Sequence, residues 1–542
     1  MPETHSSEAI NPARAAFARD ADVLVIGGGP AGAWAACSAA AAGAKVVLVD
    51  KGCCGTSGAT ASAGTGVWYV PPDHPKRLAA MESREKLGGY LQDRAWMSRV
   101  LDRTYESVNL LAEWGYPFPQ DDEGQPRRTN LRGPDYMRLM RRRVRKSGVL
   151  ILDHSPALEL LADEDGAVAG ARGIRRQEGD DWVVRAKSVV VASGGCAFLS
   201  GGLGCNVLTG DGYLMAAELG AELSGMEFSN AYAISPAFAS VTKTLFYNWA
   251  TFTYQDGTPI PGAASHGGRS VIARTLLTQP VYCCIDKADE KTQALMRASQ
   301  PNFFVPLDRA GLDPFRQRFP VTLRLEGTVR GTGGLRLVDE TCATTVPGLY
   351  AAGDAATREL VCGGFTGGGS HNAAWAMSSG FWAGAGAADY AVQAGAGSVP
   401  RLLRSAGDTA LRVKNAAEFD PGQITRAVQA QVFPYTINYF RTGAGLTAAL
   451  ERLDRLWVDI RSAGQSSAER VVKAREAAAM LATSRWMYRS ALARTESRGM
   501  HKREDHPRLD DAQRHHLVTA GLDEIQVRRR PAAEYARQEI AA

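Results

Sequence analysis

Residues Asp22–Asp50 read DVLVIGGGPAGAWAACSAAAAGAKVVLVD. The apolar run Val23–Ile26 predicts a buried parallel strand. Gly27-Gly28-Gly29-Pro30-Ala31-Gly32 follows as a G-x-G-x-x-G and runs into the Ala-rich helical stretch Ala33–Ala42, closed by Gly43. A second apolar strand, Val46–Val49, ends in Asp50. Each glycine of the motif has a mechanical task. Gly27 permits the tight turn, Gly29 lets the backbone approach a pyrophosphate, and Gly32 lets the helix pack close on the sheet. The helix start offers free N–H groups and a positive dipole end to phosphates. Asp50 stands where a carboxylate accepts hydrogen bonds from a ribose hydroxyl. A lone G-x-G-x-x-G says little; flanked by two strands, with an acid ending the second, it predicts a dinucleotide site.

The chain has 542 residues, long enough for two or three domains, and its apolar fraction of 45% is that of a globular protein. A net charge of +5 does not argue for nucleic acid. The first twenty residues are polar, unlike a secretory signal, and no apolar run approaches membrane-spanning length. Nine scattered cysteines lack C-x-x-C spacing, so no disulfide framework, zinc site, other metal site or iron–sulfur cluster is expected. A cytoplasmic protein with reduced thiols is the simplest expectation.

After Asp50 and Lys51, residues Gly52–Gly64 are small and polar, suited to lining a pyrophosphate and a ring system. Residues 75–150 read as mainly helical, including Asp93–Trp114 and the Arg-rich Asp135–Lys146, whose charges mark a solvated face or a docking patch for an acidic partner. Strands are expected at Val149–Asp153, Ala157–Ala162, Ala167–Arg175, Trp182–Ala186 and Ser188–Val191, the last leading into Ser193, Gly194 and Gly195. Asp211, in Thr209-Gly210-Asp211-Gly212, is a helix cap or a contact to a cofactor hydroxyl. Between Met226 and Gly331 the pattern turns irregular, as in an inserted second domain. Gly348–Asp354 regains buried-strand character, and the glycine loop Cys362–His371 enters a helix over Asn372–Val392. Gly395–Pro400 reads as a linker, and Asp420–Thr495 as amphipathic helices.

These ordered motifs resemble the succinate dehydrogenase/fumarate reductase flavoprotein superfamily. The resemblance adds Met226-Glu227-Phe228, Gly268–Arg274 and the C-terminal Arg494-Thr495-Glu496-Ser497-Arg498-Gly499-Met500-His501-Lys502-Arg503, and spans roughly Asp22 to Asp523. It implies an α/β fold: a Rossmann-like FAD-binding domain (21–225 and 333–395), an inserted α+β capping domain (226–332) and a C-terminal helical domain (415–510). A polar arm (1–20) and a tail (511–542) complete the chain. It implies FAD, lying between the two domains, with hydride moving between substrate and flavin N5.

By position, Gly27, Gly29, Ala31 and Gly32 would hold the pyrophosphate, Asp50 and Lys51 the adenosine end, and Ala157 the adenine. Ser57, Gly58, Ala59, Thr60 and Gly64 would line the flavin. Ser193, Gly194, Asp211, Gly353 and Asp354 would contact the cofactor, and Asn372 and Ala373 would face the flavin pyrimidine, where a helix start favours the reduced form. The superfamily's flavin-linking histidine is replaced within Ser57-Gly58-Ala59, so noncovalent FAD is expected. Its His-Pro-Thr and His-Gly-Ala-Asn-Arg motifs are also absent; the glycine-rich Gly364–His371 looks more like the adenylylsulfate reductase branch.

Three residues remain as candidates for the chemistry. Arg269 would transfer the substrate proton or form an interdomain ion pair. His371 would donate a proton, touch substrate, or merely start its helix. Arg330 would replace a lost anion contact. Glu496, Arg498, His501 and Arg503 are expected to pin the C-terminal segment. The leading expectation is an oxidoreductase acting on a small anionic substrate. The alternatives are an electron-transfer subunit with a ferredoxin-like iron–sulfur partner and a non-catalytic flavin-binding module.

Overall fold

The computed structural model describes residues 9–10, 15–120, 123–242, 244–365, 370–395, 403–411, 418–461, 463 and 468–532. The glycine run Gly367–Gly369, most of the 1–20 arm, the linker after Gly395, the 415–417 start of the helical unit and the end of the 511–542 tail lie outside the described residues.

The nucleotide stretch folds as its sequence dictates. Strand β1 (Phe17–Ile26) leads through the glycine turn into helix α1 (Pro30–Ala41) and strand β2 (Val46–Val49). Four more segments complete the core sheet and its hairpin: β3 (Leu150–Leu152), β4 (Ala157–Ala162), β5 (Val168–Arg175) and β6 (Asp180–Val191). β7 (Leu349–Ala351) adds a last parallel strand, and helix α2 (Ser370–Gln393) crosses behind the sheet. The parallel order is β3-β2-β1-β6-β7. In this register Ile26, Val49, Val191 and Ala351 end at one level, so the sheet presents its carboxyl edge as a single ledge. Ligands of open α/β sheets bind outside that edge.

Helices α1 and α2 touch through small residues. A Cβ on Gly380 would lie 2.4 Å from the Ala31 carbonyl oxygen, and one on Gly384 2.2 Å from that of Ala35. Any larger side chain would push α2 off the phosphate-turn helix.

The segment between Met226 and Gly331, irregular in sequence, is ordered. Ala231–Pro236, Phe319–Glu326, Val281–Cys284 and Thr251–Thr253 form an antiparallel sheet in that order, and the connections carry helices, among them Arg269–Thr275. Short strands, separated by long connections that carry Pro and Gly, hide their period in the sequence. Three helices follow farther on, Pro421–Val432, Gly443–Arg461 and Ala468–Ala493.

Four local expectations need correction. Trp182–Ala186 and Ser188–Val191 are one strand, because Lys187 is a polar interruption that leaves the extended backbone intact. The described part of the N-terminal arm is not free: Ala9–Ile10 pairs with Leu403–Arg404, and residues 17–20 belong to β1. The 511–542 tail contains a hairpin, His515–Ala520 with Gln526–Pro531, joined to Leu223–Ser224. The helical reading of 75–150 misses the pairing of Asn130–Arg132 with Gly64–Gly66.

The Arg-rich helix is partly framework and partly solvated face. Arg141 pairs with Asp153 at 2.6 Å and Arg143 lies over Trp114, while Arg142, Arg145 and Lys146 are exposed.

The C-terminal motif is a buried lattice of charge. Arg494 reaches Glu227 at 2.8 Å and Glu496 at 2.9 Å, and Arg498 reaches Glu496 at 2.6 Å, all four side chains at most 1% exposed. His501 Nδ1 accepts from Arg441 at 2.8 Å while its Nε2–H donates to the Arg494 carbonyl at 3.0 Å. Those two bonds require the neutral ring, and burial together with Arg441 and Arg494 holds His501 well below the usual histidine range. Removing one partner of such a pair strands a buried charge. Arg494→Ala, which leaves Glu227 and Glu496 short of a cation, is expected to cost about 3–5 kcal/mol. Denaturant unfolding of the variant against the parent measures it.

Candidate functional site

A cavity of about 1140 Å³ opens from the carboxyl ledge of the sheet toward the antiparallel unit. That exceeds the roughly 300–1,000 Å³ of a site for one drug-sized ligand. Its sheet end is walled by Gly27, Gly29, Ala31, Asp50, Lys51, Ala157, Ser193, Gly194, Asp211, Gly353 and Asp354. Ser57, Gly58, Ala59, Thr60, Gly64, Asn372 and Ala373 continue the same wall.

The glycine turn separates its tasks in space. Gly27 has φ +109°, and a Cβ there would lie 2.4 Å from the Ala192 carbonyl oxygen. A Cβ on Gly32 would lie 1.8 Å from the Gly27 carbonyl oxygen. Gly32 therefore packs the turn against itself, and its backbone stays in the first turn of α1. A Cβ on Gly29 would meet nothing within 4 Å, because the residue faces open cavity.

Asp50 is buried. It accepts from the backbone N–H of Gly28 at 2.6 Å and Gly52 at 2.7 Å, and from the Ser57 hydroxyl at 2.8 Å. One carboxylate thus fastens both glycine loops. Lys51 bridges Asp211 at 2.6 Å and Glu476 at 3.0 Å, which ties the site to the helix Ala468–Ala493. Asp211 starts its helix without capping it, so its carboxylate is held by Lys51 and by Thr209 at 2.8 Å. Asp354 pairs with Arg358. Gly353 is clamped from α2: its N–H donates to Ser379 Oγ at 2.9 Å, and its carbonyl accepts from Trp375 at 3.0 Å.

At the other end the wall changes sign. Arg84, Arg269 and Arg330 line it, with Lys86, His266 and Lys502 at the exposed rim. Arg330 is answered by the buried Glu326 at 3.1 Å, and Glu326 also accepts from Thr242 at 2.6 Å. Arg269 begins its helix, and its only hydrogen bond within the described residues runs to the Tyr232 carbonyl at 3.3 Å. Burial, with the positive Arg330 beside it, pushes its guanidinium down to about 10. His266 is held below the usual histidine range by lost solvent first and then by Arg269, Arg84 and Arg330. The three arginines therefore converge on one region.

His371 does not belong to that wall. Its ring is buried against Trp68, centroids 4.6 Å apart, while its neighbours Ser370 and Asn372 line the cavity. The reading as a substrate contact gives way to packing at the start of α2. Arg84 is a site residue with no signature in the sequence, since it ends an ordinary charged helix, His74–Glu85. His266 adjoins the Gly268–Arg274 motif, and that proximity is its only signal.

The wall is chemically incomplete. Ser193 Oγ, Asn230 Oδ1, Asn372 Oδ1, Arg84 Nε and Arg269 Nε are buried atoms on lining residues and have no hydrogen-bond partner. Buried polar groups are almost always paired, so these atoms await a ligand. With the open face of Gly29 and the start of α2, they fit a phosphate-bridged cofactor with a polar ring. Among the described residues no cluster of His, Cys, Asp and Glu side chains could hold a metal ion. Nor is any helix among them long and apolar enough to cross a membrane. All nine cysteines are free thiols.

A split parallel sheet, a glycine turn at its carboxyl edge and an inserted antiparallel unit over the cavity define a dinucleotide-binding flavoprotein. Residues 22–232 match the FAD binding domain family and residues 430–537 match the fumarate reductase flavoprotein C-terminal family. The chain is 25% identical over 538 residues to one subunit of the CoM/CoB fumarate reductase of Methanothermobacter marburgensis, covering 90% of this chain and 95% of that one. It is 27% identical over 545 residues to L-aspartate oxidase of Streptomyces coelicolor, covering 92% and 91%. A solved quinol fumarate reductase of E. coli superposes with a TM-score of 0.81 at 21% identity, covering 96% and 98%. The chain belongs to the fumarate reductase/succinate dehydrogenase flavoprotein superfamily of FAD-dependent oxidoreductases.

Gly29 lies at φ −70°, a conformation open to alanine, and its missing Cβ faces only cavity. Gly29→Ala is therefore expected to fold normally and to weaken FAD binding by about tenfold or more, as a methyl group meets the pyrophosphate. Flavin titration followed by fluorescence, beside an unchanged melting temperature, checks it.

Proposed function

We propose that this protein transfers hydride between a small anionic organic substrate and noncovalently held FAD. One observation carries the reading: Arg269 faces the cavity with a buried, unpartnered Nε and no carboxylate partner among the described residues. Arg336 and Arg358 also leave a buried Nε unpaired, but each holds a carboxylate, Glu222 and Asp354; Arg269 holds none among the described residues, which leaves its charge for an anion or a proton.

Gly27, Gly29 and Ala31 would hold the pyrophosphate, with Asp50 at the ribose and Ala157 at the adenine. Ser57, Gly58, Ala59, Thr60 and Gly64 would line the flavin, and the start of α2 at Asn372 and Ala373 would face its pyrimidine. When bound, FAD supplies a two-electron hydride donor and acceptor. Arg269 would hold the substrate anion and carry the proton that balances hydride transfer. A guanidinium near 10 gives up its proton more readily than one in water. Arg330 would add positive field while Glu326 holds it in place. His371 would support the start of α2 from behind. The matching flavin-linking stretch, Ser57-Gly58-Ala59, offers no imidazole for a covalent bond.

A second reading draws support from the methanogen relative, which is one subunit of its enzyme. Here the flavin passes electrons onward to a ferredoxin-like iron–sulfur partner, and co-purification from the native host tests it.

Acid precipitation is expected to release all the yellow colour to the supernatant; a yellow pellet contradicts noncovalent binding. Succinate and fumarate are expected to give little turnover, because the superfamily's dicarboxylate motifs are missing. Arg269→Ala is expected to abolish turnover with flavin still bound. In the parent, activity is expected to fall as pH rises through about 10, where the Arg269 guanidinium loses its proton. Arg269→Lys should move that alkaline limb. A pH–rate profile of parent and variants checks both.

A further inference from the structure

The cation-lined end of the cavity has features that a bare C4 dicarboxylate would not use. Arg84 lines it with a buried Nε that has no partner, and no ion pair to its guanidinium occurs among the described residues. Arg84 and Arg269 line the same cavity, and neither has a carboxylate within salt-bridge distance among the described residues; Glu326, whose charge reaches Arg269, is engaged by Arg330 and Thr242. Burying such groups unpaired is costly, and an oxyanion offsets that cost.

Beside these charges the wall is apolar. Phe246, Phe365, Tyr439, Tyr232 and Met500 face the cavity, and Tyr232 and Tyr439 meet edge to face at 5.5 Å. At the mouth Leu87 is 42% exposed and Leu245 59% exposed, on opposite units of the fold, and both line the cavity. Apolar side chains that line a cavity and still meet water lose that contact when an apolar ligand enters. Leu87 lies only three residues beyond Arg84, so the anion contact and the apolar lip are built on one segment.

We propose that the substrate is an amphipathic organic acid, its carboxylate held by Arg84 and Arg269 and its ring-sized apolar body lying toward Leu87 and Leu245. This rests on the proposed reading that the cavity holds FAD with the substrate beside it. Arg84 then takes over the anion contact that the missing arginine motif would have made, and the apolar lip selects the acid by its body.

The test titrates the FAD-loaded protein with cinnamate, acrylate and cinnamamide, reading the change in the flavin visible spectrum. Cinnamate is expected to bind at least about tenfold tighter than acrylate, which lacks the ring, and than cinnamamide, which lacks the charge. Arg84→Gln is expected to weaken cinnamate about tenfold, with Arg84→Lys recovering part of the loss. Leu245→Ser is expected to shrink the cinnamate-to-acrylate ratio. Equal binding of cinnamate and acrylate, or an Arg84→Gln variant that binds cinnamate like the parent, overturns the proposal. Flavin loading and its bleaching by dithionite are measured first on the same samples. Their failure defeats the FAD reading itself, whereas a loaded flavin with no preference for the ring defeats only this inference.

Discussion

The structure depends on two positions where no side chain fits. Gly32 abuts the Gly27 carbonyl, and Gly27 abuts the backbone at Ala192. These contacts bring the start of α1 against the ends of β1 and β6, and so aim its free N–H groups along the carboxyl ledge. Gly380 and Gly384 repeat the device one layer back, seating α2 against α1. Because α2 is seated there, its own N-terminus opens on the same cavity some distance along. Two helix starts, held by missing methyl groups, thus set where anionic parts of a ligand can rest.

Charge is divided along the cavity. The sheet end carries Asp50, Asp211 and Asp354, each engaged by backbone N–H groups or by a cation. These suit hydroxyl-bearing sugar. The far end carries Arg84, Arg269 and Arg330. Of these, Arg330 is held by the carboxylate of Glu326, while Arg84 and Arg269 have no such partner among the described residues. A ligand that is polar and hydroxylated at one end and meets an anion at the other is matched by such a gradient. Its source is the topology: the acids come from strand ends and helix starts of the parallel sheet, the arginines from the inserted unit and the helix that faces it.

How much of this is legible in the chain follows from locality. The β-α-β unit, its glycines and Asp50 lie within thirty residues and interact mostly with one another, so their spacing foretells the ledge and the turn. The end of the helix at Ala41 and the strands Ala157–Ala162 and Val168–Arg175 are likewise visible in turn residues and alternation. The C-terminal hairpin is not visible, because an edge strand reading QVRRRP has the composition of a tail, and its partners, the His515–Ala520 backbone and the Glu222 carboxylate that takes Arg528, are set by the fold. His371 looks like a ligand contact in a motif because a motif records proximity in sequence, while the side-chain direction, here against Trp68, decides what is touched. Arg84 carries no local signature at all; packing sets the end of its helix on the same cavity wall as Arg269, 185 positions later.

The contrast among buried arginines separates framework from site. Arg494 and Arg498 are saturated by Glu227, Glu496 and backbone carbonyls, Arg358 is held by Asp354, and Arg475 is paired with Glu218 at 2.7 Å. Each joins segments far apart in the chain or fixes a loop, and removing its partner would leave a stranded charge. Arg84 and Arg269 are the same chemical group, yet on the cavity wall neither has a carboxylate within salt-bridge distance among the described residues. Burying a guanidinium without a carboxylate costs free energy, which an anion entering the cavity would offset. The imbalance between paired and unpaired guanidinium groups is therefore a property of the chain itself, and it lies on the wall of the cavity and not in the packed framework.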